Sequence, residues 1–431
     1  MVRANGVGGV TGNRWLDPTT NTTALCGTTA VGATGNLRIR TQHFSCPNAN
    51  ITAAAGGPQT DVGISDLEPA IFKTAIFDGT DQLAEVAALT TKGITGVTFG
   101  VPVTLGIYRR LQAMYFAASS VCNPGNANYS AAVSFTVNGV VVNTTNADSE
   151  ACMPSLTKSQ LQALYSGGYG DWSMIASPTT AGVNLSTITT AAYPTALGST
   201  NTPGGVPGGV YVCRRSNTSG TQATFETQIL GQRCVNGSQT FLTNPTNVAT
   251  VDVNEASSGG GVVTCLNARD ASNIGAVGIL STETKPAATD KWRFVKLNGF
   301  APTLLNVVKS NYDLFAESTL QYRGAAIGGF AALAGNQKSV ADSISVAMGD
   351  VNVINDLDTT FVQSFGPAGD VGNAVALAAQ APQPPFVVNS FSSGNTSDVL
   401  AFPIATKTRG ASGTPNACLP PVDISATQVT P

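Results

Sequence analysis

The stretch VCRRSNTSGTQATFETQIL (212–230) carries the most informative pattern in the chain. The apolar residues Val210 to Val212 predict a strand, and the polar residues after it predict a turn. Phe225 and Ile229 lie four positions apart, on one face of a predicted helix that stops at Gly231. The order strand, turn and helix is the repeating unit of an α/β fold.

The start of that helix predicts a site for a small anion. The first N–H groups of a helix have no partner within it and carry partial positive charge. Ser219 and Thr221 supply hydroxyls there, and Gly220 lets the backbone approach a ligand. Arg214 and Arg215 precede the turn and can donate paired hydrogen bonds to an oxyanion. The alternative is an ordinary capped helix beside two surface arginines.

Strand-like and helix-like runs alternate on both sides of this unit. The apolar spacing predicts strands at 61–65 and 96–108 and helices at 156–172 and 339–351. In the first of these helices, Thr157 and Gln160 have the spacing of a capping box, and Gly167 follows the last apolar position. The segment 173–210, rich in Gly, Pro, Ser and Thr, is predicted to be irregular.

Length and composition limit the classes of protein to which this chain can belong. A chain of 431 residues exceeds what one hydrophobic core usually supports, which predicts two lobes. Charged residues make up 11% of the sequence, and Thr, Ser, Asn and Gly supply the remaining polarity, which favours an exported protein. The formal net charge of −3, without a basic stripe, disfavours nucleic-acid binding. No apolar run reaches the ~18 residues that a membrane helix needs.

The cysteines predict disulfide bonds made in an oxidising compartment. They are even in number, widely spaced and free of C-x-x-C pairs: Cys26, Cys46, Cys122, Cys152, Cys213, Cys234, Cys265 and Cys418. We expect pairing between neighbours along the chain, Cys26–Cys46, Cys122–Cys152 and Cys213–Cys234, which leaves Cys265–Cys418. The alternative is buried free thiols in a cytosolic protein. Because His43 is the single histidine, a zinc or other metal site is poorly supported.

Four segments together resemble the phosphate-binding proteins of ABC transporters. The segment R-x-N-x-S-G-T-x-x-x-F (215–225) is similar to the family signature R-x-D-x-S-G-T-x-x-x-F. TDVGISD (60–66), LTKSQLQALYSGGYGDW (156–172) and NIGAVGILS (273–281) resemble further family segments and occur in the family's order. The chain is therefore identified as similar to the substrate-binding proteins of phosphate-type ABC transporters.

This resemblance implies a two-lobed periplasmic-binding-protein-like fold of type 2. Each lobe would have a central mixed sheet flanked by helices, and two crossing strands would join the lobes. Residues 1–103 and 278–431 would form lobe 1, and residues 104–277 would form lobe 2. Hinges are expected near 100–107 and 275–282. The Pro-rich segment 380–431 is expected to be a tail packed on lobe 1.

The resemblance also implies a ligand set in the cleft between the lobes. Lobe 1 would contribute Ser65 and Asp66, and lobe 2 would contribute Arg215, Asn217, Ser219, Gly220 and Thr221. Asp66 would accept the proton of a monohydrogen phosphate, and Arg215 would pair with its charge. Asn217 stands where the family has Asp, which removes a carboxylate partner for Arg215.

The N-terminal segment departs from the family pattern. The sequence MVRANGVGGVTGN (1–13) replaces the family's first strand and its phosphate-binding loop. A missing strand would leave an unpaired sheet edge in lobe 1, open to a strand from a neighbouring molecule. This feature and the extended tail favour an alternative function as an extracellular structural or self-assembling subunit.

The sequence therefore predicts a non-catalytic protein located in the periplasm, outside the cell or on its surface. It would capture a small oxyanion, most plausibly phosphate, without a cofactor and without a membrane span. An ABC permease and, by strand addition, a second copy of the chain are the expected protein partners. An enzyme is disfavoured because no metal-binding cluster or activated-nucleophile motif is visible.

Overall fold

The computed structural model describes residues 62–72, 86–137, 140–197, 208–216, 219–234, 251–326, 331–350, 362–373, 404–405, 407–411, 414–419 and 422–423. The longer strands in these ranges are β1 (Val62–Ser65), β2 (Leu89–Thr104), β3 (Ala132–Val137), β4 (Val140–Thr145), β6 (Val210–Arg215), β7 (Val251–Ala256), β10 (Trp292–Leu297), β11 (Phe315–Arg323) and β14 (Asp370–Asn373). Shorter strands are β5 (Ser155–Leu156), β8 (Ala276–Gly278), β9 (Leu280–Ser281), β12 (Val362–Gln363), β13 (Gly366–Pro367), β15 (Ile404–Ala405), β16 (Lys407–Thr408), β17 (Gly410–Ala411), β18 (Thr414–Pro415) and β19 (Val422–Asp423). The α-helices are α1 (Leu105–Tyr115), α2 (Lys158–Ser166), α3 (Gly220–Gln228), α4 (Gly259–Ala271), α5 (Leu304–Val308) and α6 (Gly335–Gly349).

Strand β2 runs through the centre of the fold and is shared by two groups of strands. Its first part pairs with β11 on one side and with β14 on the other, and β1 extends this group beyond β11. Its last part pairs with β10 on one side and with β9 and β8 on the other. The partner changes between Thr98, which faces Phe315, and Phe99, which faces Ser281.

The second group, around the last part of β2, contains the parallel strands β6, β7 and β8. Strand β6 lies parallel to β7 on one side and to β8 on the other. Helix α3 follows β6 and helix α4 follows β7, as expected of strand–helix units. Because parallel strands end at one edge of a sheet, the starts of α3 and α4 lie at the same edge, where α/β folds place ligands.

The predicted α/β fold with mixed sheets is confirmed. The predicted capping box is also present, since Gln160 N–H donates to Thr157 Oγ1 at 3.1 Å and Thr157 N–H donates to Gln160 Oε1 at 2.8 Å. Gly167 ends this helix in the left-handed region, with φ of 75°. None of the helices in the described ranges is long and apolar enough to cross a bilayer.

The predicted strand at 96–108 is wrong at its C-terminal end, because β2 stops at Thr104 and Leu105 begins α1. The side chain of Thr104 does not cap this helix. Instead the Gly106 N–H donates to Asp270 Oδ1 at 2.7 Å, and the Leu105 N–H donates to the Lys291 carbonyl at 2.8 Å. The first N–H groups of α1 are therefore capped by acceptors that are distant in sequence, and no local sequence pattern predicts them.

The expectation that cysteines pair with their neighbours along the chain is correct for one bond. Cys122 is bonded to Cys152, as predicted. The other two predicted pairs in the described residues are wrong, since the bonds are Cys213–Cys265 and Cys234–Cys418. Cys213 lies on β6 and Cys265 on α4, which packs over that strand, so sheet packing rather than loop length decides the partner. Cys26 and Cys46 lie outside the described residues.

The described part of the C-terminal tail packs beside β11 and the segment that follows β1. It donates two backbone hydrogen bonds to buried carboxylates, from Ala417 N–H to Glu68 Oε1 at 2.8 Å and from Arg409 N–H to Glu317 Oε2 at 2.7 Å. Among the described residues, β1 forms the edge of its sheet. The predicted addition of a strand from a neighbouring molecule at this edge stays a prediction.

Replacing Glu68 by Gln should flatten the pH dependence of stability. Burial raises the pKa of Glu68 to about 7, so the folded state holds a proton that the unfolded state releases at lower pH. The stability of the native protein should therefore fall as pH rises from its ordinary pKa of 4.5 to about 7. At pH 8, Glu68→Gln should be more stable than the native protein by about 1–3 kcal/mol.

Urea unfolding at pH 5 and pH 8 measures this difference, with Glu150→Gln, at an exposed glutamate, as the control. A difference between Glu68→Gln and the native protein that stays constant across this range would contradict the assignment.

Candidate functional site

The predicted anion site lies where β6 ends. Arg215 is the last residue of β6, and Ser219 is the N-cap residue of α3. Ser219 N–H donates a hydrogen bond to the Ser216 carbonyl at 3.0 Å. Ser216 N–H donates to the Ala256 carbonyl at the end of β7, also at 3.0 Å. Ser216 is therefore held against the end of the neighbouring strand, and Ser219 is held to Ser216.

Asp66 reaches this turn from the other group of strands. It directly follows Ser65, the last residue of β1, which faces Thr319 on β11. Leu67 is fully buried, and its carbonyl accepts a hydrogen bond from Thr319 Oγ1 at 3.1 Å. These contacts fix the backbone on both sides of Asp66 and direct its carboxylate toward α3.

The Asp66 carboxylate lies directly against the first turn of α3. Thr221 Oγ1 donates to Asp66 Oδ2 at 3.4 Å. A Cβ atom on Gly220 would lie 2.6 Å from Asp66 Cβ and 2.6 Å from Asp66 Oδ2, so only glycine fits there. A negative group is favoured at this position by the partial positive charge of the helix N-terminus. The side chain of Ser219 makes no capping hydrogen bond to the helix.

Arg215 supplies the positive charge beside this contact. Its Nη2 atom donates to the Ser257 carbonyl at 3.2 Å, and its backbone N–H donates to Gln222 Oε1 at 3.2 Å. Burial raises the pKa of Asp66, while the Arg215 charge and the Thr221 hydroxyl oppose the rise. Burial likewise lowers the pKa of Arg215, and the Asp66 charge opposes the fall. The two groups thus form an attractive but partly desolvated pair.

Two further acidic residues, Glu283 and Asp370, are coupled electrostatically to Asp66. Burial, followed by the charges of Glu283 and Asp66, raises the pKa of Asp370 to about 7. The pKa of Glu283 is also raised, by burial and by the Asp66 charge. Both residues lie where β2 changes partner, since Gly369 N–H donates to Thr282 Oγ1 at 3.1 Å and Thr98 N–H donates to the Gly369 carbonyl at 3.2 Å.

The sequence-based reasoning missed both acids. Glu283 follows the 273–281 segment by two positions, so its distance from a recognised segment was a usable signal. Asp370 has no local signal, because only the pairing of β14 with β2 brings it to the site.

The structure brings Asp66, Arg215, Ser219, Gly220 and Thr221 to one place. Ser65 is adjacent, but its Oγ atom accepts a hydrogen bond from Leu67 N–H at 3.4 Å. Asn217 lies outside the described residues.

The second arginine of the predicted anion grip does not take part. Arg214 is buried, and its Nη2 atom lies 2.6 Å from Glu255 Oε2. Neighbouring side chains of a strand point to opposite faces, which separates Arg214 from Arg215. In the part of the chain that the structure describes, no cluster of His, Cys, Asp and Glu could hold a metal ion.

Comparisons with known proteins give similarity at the level of the fold. No protein-family model matches the chain, and no curated protein matches it. The ancestral soluble variant of the human phosphate binding protein is 14% identical, with 83% of this chain and 87% of that chain covered and a TM-score of 0.41. An ABC-type phosphate transport receptor from Vibrio cholerae is 13% identical, with 70% and 78% covered and a TM-score of 0.34.

PstS from Borrelia burgdorferi is 10% identical, with 70% of this chain and 78% of that chain covered and a TM-score of 0.31. These structures belong to the class that the sequence motifs resemble.

Replacing Gly220 by Ala should push Asp66 away from the start of α3. The added methyl group would overlap the Asp66 carboxylate, so we expect a loss of about 1–3 kcal/mol in the free energy of unfolding. Gly259→Ala is the matched control, since Gly259 also opens a helix after a serine N-cap but has Leu280 Cδ2 at an ordinary 3.6 Å from the added atom. Chemical denaturation of both variants tests this, and equal stabilities would contradict the close contact.

Proposed function

We propose that the protein binds a small oxyanion, with phosphate as the best fit, between Asp66 and the first turn of α3. The observation that carries the proposal is the convergence of Asp66, Arg215 and Thr221, which come from two different groups of strands. An acceptor, a cation and a hydroxyl donor around a helix N-terminus are the groups that a hydrogen phosphate needs.

The donors in this site suit an anion with several oxygens. Arg215 carries a guanidinium group that can donate two parallel hydrogen bonds to one oxyanion. The hydroxyls of Ser219 and Thr221 and the first amides of α3 add neutral donors. Binding would therefore depend on hydrogen bonds and one ion pair, without covalent chemistry.

The acidic residues favour an anion that carries a proton of its own. An ionised Asp66 repels an anion without protons but accepts a hydrogen bond from the P–OH group of hydrogen phosphate. Glu283 and Asp370 add to this repulsion when they are ionised. The arrangement thus favours hydrogen phosphate over sulfate, which has no proton to donate at neutral pH.

Ligand entry requires Asp66 to separate from Gly220, since the two are in contact. We propose that this happens by relative movement of two lobes, 1–103 with 278–431 and 104–277. The partner change of β2 at Thr98 and Phe99 lies close to the boundary at 103 and supports it. Strand β10 (Trp292–Leu297) instead pairs with β5 and the last part of β2, so it packs with the second group although it follows residue 278. Hinge movement between lobes is a common way to open such a site.

We also propose that the protein works outside the cytoplasm as the binding component of an ABC transport system. Three disulfide bonds in the described residues support an oxidising compartment. A permease of this transporter class would be the protein partner.

Replacing Arg215 by Ala should weaken phosphate binding. Loss of a charged hydrogen-bond donor costs about 1.5–3 kcal/mol, so the dissociation constant should rise roughly 10- to 150-fold. Isothermal titration calorimetry with phosphate measures this. Arg323→Ala, at the far end of β11, is the control and should bind as the native protein does. Absence of binding heat from the native protein would overturn the proposal.

Phosphate affinity should fall as pH rises from 6 to 8, and part of this fall should depend on Asp370. Its pKa of about 7 means that it gains a negative charge near the anion over this range. In Asp370→Asn, the ratio of dissociation constants at pH 8 and pH 6 should be smaller than in the native protein by roughly fivefold. Both proteins experience the same protonation state of phosphate, so equal ratios would show that Asp370 does not affect the ligand.

A further inference from the structure

The Cys234–Cys418 disulfide joins two parts of the chain that belong to different groups of strands. Cys234 follows α3 and precedes β7, both of which lie with the parallel strands. Cys418 belongs to the C-terminal tail, 184 positions further along the chain. This bond therefore crosses from the second group of strands to the part of the molecule that holds Asp66.

The described part of the tail is bound to the group of strands that carries Asp66, here called the Asp66 side. The Arg409 side chain is buried and donates to the carbonyls of Phe315 at 3.2 Å and Asp313 at 2.9 Å. The Ala417 N–H, next to Cys418, donates to Glu68 Oε1, two residues after Asp66. Movement of Cys418 is thus coupled to β11 and to the segment that carries Asp66.

Contacts of its neighbours connect Cys234 to α3. Its neighbour Arg233 forms a buried ion pair with Glu226 on α3. The Gln162 side chain on α2 donates to the Ile229 carbonyl at 2.7 Å, which fixes the end of α3 within the second group. Cys234 should therefore move together with α3.

Non-covalent contacts reinforce the connection at the end of α3. Gln228 Nε2 donates to the Phe315 carbonyl at 2.7 Å. The Arg233 guanidinium lies 5.7 Å from the centre of the Phe72 ring. Helix α3 is thus attached to the Asp66 side at both ends, by Asp66 at its start and by these contacts and the disulfide at its end.

We propose that the Cys234–Cys418 bond is a redox-sensitive latch that holds the oxyanion site closed. This rests on the proposed function, since the latch controls access to the site between Asp66 and α3. With the bond intact, the end of α3 cannot separate from the tail, so the site opens only by limited movement and anion exchange is slow. Once the bond is reduced, only non-covalent contacts such as the Gln228–Phe315 hydrogen bond and the Arg233–Phe72 contact oppose opening.

Of the disulfides in the described residues, the latch is the one that solvent and a reductant can reach. Cys234 and Cys418 are both exposed and line a cavity of about 460 Å³. The cysteines of the other two bonds, Cys122, Cys152, Cys213 and Cys265, are at most 7% exposed. Because thiol–disulfide exchange requires access of the attacking thiolate, a reductant should reach the latch first.

The reductant would be a dithiol. One of its thiolates attacks a sulfur of the Cys234–Cys418 bond and forms a mixed disulfide, and the second thiol then displaces the remaining cysteine. The dithiol is oxidised to its cyclic disulfide, while the protein disulfide takes up two electrons and two protons and becomes two thiols.

Limited reduction of the native protein tests the accessibility. After brief treatment with dithiothreitol, alkylation and peptide mass mapping should find Cys234 and Cys418 modified before Cys122, Cys152, Cys213 and Cys265. Simultaneous modification of these six cysteines, or earlier modification of one of the two buried pairs, would overturn the proposed selectivity.

The double variant Cys234→Ser/Cys418→Ser tests the latch. Release of radiolabelled phosphate into excess unlabelled phosphate should be faster than in the native protein by roughly tenfold or more, since release rates carry most changes in affinity. The control is Cys122→Ser/Cys152→Ser, which lacks a bond within the second group and should release phosphate at the native rate. Unchanged release from the latch variant would overturn the proposal.

A second readout does not need phosphate. Hydrogen exchange of the amides of α3, followed by mass spectrometry without ligand, should be faster in Cys234→Ser/Cys418→Ser than in the native protein and in the control. If phosphate does not bind but exchange rises in this way, the proposed ligand fails and the latch stands. Native exchange rates in the latch variant would overturn the latch whatever the ligand.

Discussion

Strand β2 is the constraint on which the rest of the structure depends. It is the one described strand that takes partners from both groups, and its side chains Phe99, Val101 and Val103 are fully buried. At the partner change its backbone is held by distant residues, since Thr282 N–H donates to the Thr98 carbonyl and Tyr312 Oη donates to the Phe99 carbonyl. The relative position of the two groups, and hence of Asp66 and α3, follows from this crossing.

The candidate site places negative and positive groups around one helix start. Asp66 takes the position that a bound anion would favour, and Arg215 lies beside it. The site therefore resembles an anion cradle that is occupied by a carboxylate of the protein itself. The proposed ligand, which would accept from Arg215 and donate to Asp66, would replace these contacts and leave the fewest groups unpaired.

The three disulfides among the described residues divide into two kinds. Cys213–Cys265 joins β6 to α4, and Cys122–Cys152 joins the segment after α1 to the segment before β5. Both bonds are buried and stabilise the fold mainly by constraining the unfolded chain. Cys234–Cys418 instead connects the two groups at the surface. The same chemical bond thus has a different mechanical consequence, because of the elements that it joins.

The sequence by itself determined the elements whose signals are local. The capping box of α2, the strand and helix around Ser219 and the residues Arg215 and Thr221 were predictable from short patterns, whereas Asp66 was implied by the family resemblance. Tertiary structure decided the features that depend on distant partners. These are the hydrogen bond to Asp270 that caps the start of α1, two cysteine pairs, the buried position of Arg214 and the position of Asp370 near Asp66. Spacing along the chain reports hydrogen bonds and helix faces within a few residues, whereas strand pairing across β2 brings together groups whose separation in sequence carries no information about their distance.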